Sequence, residues 1–159
     1  MRPDLQSWPV ILLSLLLALV MELLPLPPLL AQLQPPWLLL VVLYWSVLQP
    51  AALGMSGAWL TGLLLDAVLP APLGTHAALF TLTVTPVLAL QRLLRTLPVA
   101  QQALWVAALV CMYELGELWL GNRLTSGSIS ARDFLPVLSA LFAWPLIKVL
   151  LFRHGRRFA

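Results

Sequence analysis

Six apolar runs, separated by proline-rich or basic breaks, take up most of this chain, and few architectures can accommodate them. They are Trp8 to Leu24, Trp37 to Leu48, Ala51 to Leu69, Thr75 to Leu90, Val99 to Leu120 and Phe134 to Phe152. Crossing about 30 Å of hydrocarbon takes roughly 20 helical residues, fewer where the bilayer thins. Soluble domains carry about a quarter charged residues; this chain carries 9%, against 61% apolar. It lacks the polar surface to cover a water-soluble core. The pattern predicts an all-α, polytopic integral membrane protein, residues 1–159 forming one domain of six transmembrane helices.

Charge placement orients the bundle. With both termini cytoplasmic, Arg2, Arg92, Arg95, Lys148, Arg153, Arg156 and Arg157 lie inside, and of the nine basic residues only Arg123 and Arg132 lie outside. The first run then reads as a retained signal anchor. Residues 37–69 also suit a single re-entrant hairpin in place of two spans. The net charge of +3 does not point to nucleic acid, because the basic residues flank apolar runs and form no patch interleaved with aromatics. The tail residues Arg153, Arg156 and Arg157 fix topology and meet anionic lipid. Cys111 is the single cysteine, so no internal disulfide can form.

Within the third run, small residues recur every four positions at Gly54, Ala58 and Gly62, and the next step lands on Asp66. On a helix this makes a smooth ridge that another backbone can approach closely, ending in a carboxylate. The fifth run repeats the device: Ala103, Ala107 and Cys111 lead to Glu114 and Glu117. Intramembrane acids are costly and mark candidate sites. Counted from the cytoplasmic starts of their runs, Glu22, Asp66 and Glu114 fall at one level in the outer half, and His76 enters the fourth run from the same side. The sharper expectation is an outer polar pocket of Glu22, Asp66, His76, Glu114 and Glu117 that receives a partner or ligand. The plainer one is that a tight bundle simply satisfies these groups.

Chemistry finds little footing. Asp66, His76, Glu114 and Glu117 are acceptable metal-ligand types but have no compact spacing, so neither metal nor cofactor is expected. An aspartyl membrane peptidase needs two facing intramembrane aspartates. A serine protease needs a Ser paired with a His at helix depth, and neither arrangement is present. The sequence reads as non-enzymatic.

An ordered set of motifs carries a family resemblance. Pro36-Trp37-Leu-Leu-Leu-Val-Val-Leu-Tyr44-Trp45, Gly62-Leu-Leu-Leu-Asp66, Leu73-Gly74-Thr-His76-Ala-Leu, Gln101-Gln102-Ala-Leu and Trp144-Pro145 before a basic tail resemble the rod-shape-determining MreD family. Prolines 35 and 36 stand where Arg-Pro-Asp is common in that family, and Pro70 replaces a usual Gly. The resemblance implies a scaffold subunit of the cell-wall elongation complex in the bacterial inner membrane. The partners it implies are MreC, RodA with its class B penicillin-binding protein, and MreB at the cytoplasmic face. A homodimer is a further assembly that the smooth ridges admit. The family is similar in fold to the six-helix substrate-binding subunits of energy-coupling-factor vitamin transporters, so a small-molecule-binding subunit is the alternative reading.

Overall fold

The computed structural model describes residues 8–70, 72–120 and 130–155, with side chains described to residue 151. Regular structure among the described residues is entirely helical. The elements are α1 (Trp8–Glu22), a single turn α2 (Pro28–Ala31), α3 (Trp37–Leu48), α4 (Met55–Val68), α5 (Thr75–Thr96), α6 (Val99–Leu120), a 3-10 turn (Ala131–Phe134) and α7 (Leu135–Gly155). Three segments, Thr75–Thr96, Val99–Leu120 and Ala131–Leu151, are long and apolar enough to cross a membrane, and α1, α3 and α4 are shorter apolar helices.

The short helix α3 is the hub. Every residue from Leu38 to Ser46 is buried, the signature of a helix that is apolar all round and enclosed by others. It packs on α1, α5 and α7; α4 lies along α5, and α6 bridges α5 and α7. Trp45 Nε1 donates to Ser14 Oγ at 2.9 Å, pinning α3 to α1. The turn to α4 is held by Ser46 Oγ donating to the Leu53 carbonyl at 2.6 Å.

The unpaired groups at both termini of this helix find partners on other helices. At the N-terminus of α3, Glu22 of α1 accepts from Leu38 N–H at 3.3 Å. At its C-terminus, Arg95 of α5 donates from Nε to the Val47 carbonyl at 2.7 Å and from Nη2 to the Leu48 carbonyl at 2.6 Å. An acid at the start and a base at the end both match the helix dipole. The C-terminus of α5 is treated likewise: Gln102 Nε2 donates to the carbonyls of Leu94 at 2.6 Å and Leu97 at 3.0 Å, while Lys148 donates to Gln102 Oε1 at 2.7 Å. Arg95→Ala therefore strips two carbonyls of their donors. The expected loss is about 1–2 kcal/mol, measurable as a lower thermal midpoint in detergent. Arg95→Lys restores only part of it, because an ammonium cannot reproduce the guanidinium fork.

Three boundaries differ from the sequence expectation. Residues 51–54 belong to the turn, so α4 begins at Met55 instead of Ala51. The helix α5 runs through Pro86 to Thr96 instead of closing near Leu90. The α1–α3 connection contains a helical turn of its own.

Candidate functional site

The site forms where α4 gives way to α5. Gly74 adopts a left-handed conformation, φ 98°, which a side chain would strain, and this turn folds the start of α5 back over the end of α4. Neither Gly74 nor any neighbour on α5 supplies a side-chain cap. Asp66 does so from the adjacent helix. Its Oδ2 accepts from Gly74 N–H at 2.9 Å and Ala77 N–H at 3.2 Å, and its Oδ1 accepts from His76 N–H at 2.9 Å. A carboxylate set against a cluster of N–H groups that have no intrahelical acceptor, at a helix N-terminus, is favoured by both hydrogen bonding and the dipole.

The same oxygen, Asp66 Oδ1, lies 2.7 Å from His76 Nδ1, and the other ring nitrogen, Nε2, lies 2.9 Å from Glu117 Oε1. Tyr113, one turn before Glu117 on α6, donates its hydroxyl to that same Oε1 at 2.8 Å. Asp66, His76, Glu117 and Tyr113 thus form an unbroken polar chain across α4, α5 and α6. The Asp66 side chain is wholly buried, while the Glu117 side chain is 34% exposed. The exposed end opens into a crevice of about 330 Å³ lined by Gln32, Glu114, Glu117, Leu118, Arg132, Asp133 and Pro136.

The structure places the remaining singled-out residues as follows. Glu114 is half-buried in the crevice wall, within electrostatic reach of Glu22, Glu117 and Asp133. Glu22 sits nearby at the start of α3. Ala58 and Gly62 are buried, and a Cβ built on Gly62 would fall 2.5 Å from Ala77 Cα and 2.6 Å from both Ala77 N and the His76 carbonyl oxygen. The α4 ridge is therefore filled by the backbone of α5. Gly54 lies outside that ridge: it is the N-cap of α4, and its close neighbour is the Pro50 carbonyl. Ala103 and Ala107 are buried on α6. Arg156, Arg157 and the side chain of Arg153 lie outside the described residues.

Tyr113 is not singled out by sequence, and Arg95 and Gln102, read there for topology and as part of a family motif, are not marked as helix ties. Tyr113 stands four residues before Glu117, a spacing that places both on one helical face, and that was the available signal. Gly116 was also missed; a Cβ there would collide with the side chain of Leu79 on α5.

An all-helical bundle with three apolar helices long enough to cross a membrane among its described residues, its polar side chains joining one helix to the next, is the architecture of a helical membrane protein. The profile of the family described as rod shape-determining protein MreD matches residues 4–153. A rod shape-determining protein MreD from Haemophilus influenzae is 30% identical over 151 residues, covering 95% of this chain and 93% of that protein. The chain belongs to the MreD family, whose role is in determining rod shape. No solved structure matches it.

Proposed function

We propose that this chain is a non-catalytic scaffold subunit of the cell-wall elongation complex in the bacterial inner membrane. It has six spans and both termini in the cytoplasm, and it binds MreC and the RodA–penicillin-binding-protein synthase, with MreB approaching its cytoplasmic face. The observation that carries the non-catalytic reading is the His76 ring. Both its nitrogens face carboxylate oxygens, so neither is free to activate a nucleophile or water. Burial and saturation of Asp66 fit a helix tie in the same way.

The crevice is where a partner enters. Glu117 is engaged by His76 and Tyr113 and Asp133 by Ser130 N–H, while Glu114 lines the crevice wall; a hydrogen-bonding or basic side chain on the juxtamembrane segment of MreC suits Glu114. Glu114→Lys, which touches no helix tie, is expected to lower co-purification of MreC about tenfold through like-charge repulsion while leaving the thermal midpoint in place. Undiminished co-purification would remove the crevice from the interface. The crevice volume also suits a small ligand, as in a subunit resembling vitamin-transporter binding components. A thermal shift with a wall precursor or vitamin, abolished by Glu114→Lys, is the result that favours that reading.

A further inference from the structure

The connection from α1 to α3, residues 23–36, reads Leu-Leu-Pro-Leu-Pro-Pro-Leu-Leu-Ala-Gln-Leu-Gln-Pro-Pro and carries no charged residue. A connection that lies in water is ordinarily built from polar residues and glycine as well as proline. Here apolar side chains turn outward instead. Leu29 is 77% exposed, Leu30 52%, Leu33 46% and Leu24 46%, and no residue of α2 is buried. They continue the outward face of α1, where Leu12, Leu13, Leu16, Leu17 and Val20 are each more than half exposed.

The backbone of this segment makes small demands on water. Prolines 25, 27, 28, 35 and 36 have no N–H to satisfy. Leu30 and Ala31 donate to the Pro27 carbonyl at 2.9 Å, Leu33 to Leu30 at 3.1 Å and Gln34 to Ala31 at 3.3 Å, while Leu23 donates to Leu19 of α1 at 3.0 Å. The Gln34 side chain turns back to the last turn of α1, donating Nε2 to the carbonyls of Met21 at 2.6 Å and Glu22 at 3.2 Å. Pairing of this kind is what lets backbone leave water for lipid. The level is that of the interface. Glu22, directly before the segment, is within electrostatic reach of His76 and Glu117. Two residues past Glu117 the indole of Trp119 faces outward, 65% exposed, as at a membrane–water boundary.

We propose that residues 23–34 lie in the leaflet on the crevice side as an interfacial turn, with Leu29, Leu30 and Leu33 seated roughly 5–10 Å into the boundary between headgroups and acyl chains. The partner is the lipid surface. An uncharged, leucine-rich turn that continues the lipid-facing flank of α1 fits that boundary, and it offers no charge to a polar protein face. Gln32 of the same segment lines the crevice. The crevice mouth therefore opens at headgroup level, with one wall held by lipid. This inference rests on α1 crossing the bilayer, as in the six-span reading, and goes beyond it in saying where the connection lies.

The test uses the full chain with Cys111→Ser, without any partner protein, in phosphatidylcholine–phosphatidylglycerol vesicles, carrying one nitroxide at Leu29→Cys, Leu16→Cys or Ala131→Cys. Position 131 begins the polar 3-10 turn beside the crevice and stands for water; position 16, 58% exposed on α1, stands for hydrocarbon. Collision with a water-soluble nickel chelate is expected to be about tenfold lower at 29 than at 131, with oxygen collision between the values at 131 and 16. Nickel collision at 29 within about threefold of that at 131 places the turn in water and overturns the inference. Low collision with both nickel and oxygen means that a second copy of the chain covers the turn, and overturns it as well. Leu33→Cys repeats the measurement if the Leu29 variant is recovered poorly. Nickel collision as high at 16 as at 131 overturns the membrane placement of α1 and the inference with it. A shielded 16 beside a hydrated 29 overturns the inference alone.

Discussion

Gly62→Leu is expected to unseat α4 from α5 and leave little folded protein to extract from membranes. The contact at Gly62 is backbone against backbone, with the site of a new Cβ within 2.6 Å of Ala77 Cα, Ala77 N and the His76 carbonyl oxygen. No rotamer change can relieve such a clash, so α5 itself must move. Even Gly62→Ala is expected to cost ~3 kcal/mol, the upper part of the range for overpacking. It also displaces the three N–H groups that Asp66 holds a few ångströms away. Gly57→Ala is the control: its nearest obstacle is the Leu53 side chain at 2.9 Å, which can turn aside, and the cost should stay under about 1 kcal/mol. Thermal midpoints of both variants in detergent, read from monomer recovery, make the comparison. A Gly62→Ala protein as stable as the Gly57→Ala control would mean that α4 and α5 do not meet as described.

The interior of this bundle was legible in sequence where one residue type decides the matter. Small residues at 58 and 62 announce a close helix contact, and uncharged runs announce membrane-length helices, because both are steric or solvation facts local to a segment. The destination of the ridge was not legible. Nothing in Gly54–Asp66 says whether the approaching backbone is a partner's or that of α5. Gly54 shares the spacing yet serves as a cap, because the turn uses up residues 51–54. The acids were marked as costly, but their role depends on which helix end comes near. Glu22 and Asp66 each serve the N-terminus of a helix other than their own, 16 and between 8 and 11 residues away in sequence. The proline pair at 35–36 leaves α3 with no acid of its own at that end, and Glu22 of α1 supplies one. Arg95 was read for topology alone, since only the fold brings it to the last carbonyls of α3.

Asp66→Asn should separate the structural role of that carboxylate from any other. Four donors converge on its two oxygens: the N–H groups of Gly74, His76 and Ala77, and the ring of His76. The amide keeps one acceptor oxygen and turns two hydrogens toward groups that are themselves donors, so at least one pair is left unsatisfied in a buried setting. The expected loss is about 3 kcal/mol, the range for removing one partner of a buried, hydrogen-bonded charge. Because His76 shares Oδ1 with its own N–H, the effects of Asp66→Ala and His76→Ala should overlap, with a coupling of about 1.5 kcal/mol in a double-mutant cycle. Asp66→Ala combined with Lys148→Ala, at the far end of the bundle beside Gln102, should instead add to within about 0.5 kcal/mol. In cells the Asp66→Asn protein should fall in abundance, and rod shape should fail in proportion. Loss of rod shape at full abundance and unchanged thermal midpoint would show that Asp66 does more than hold the start of α5, and would reopen the case for chemistry at the His76 ring.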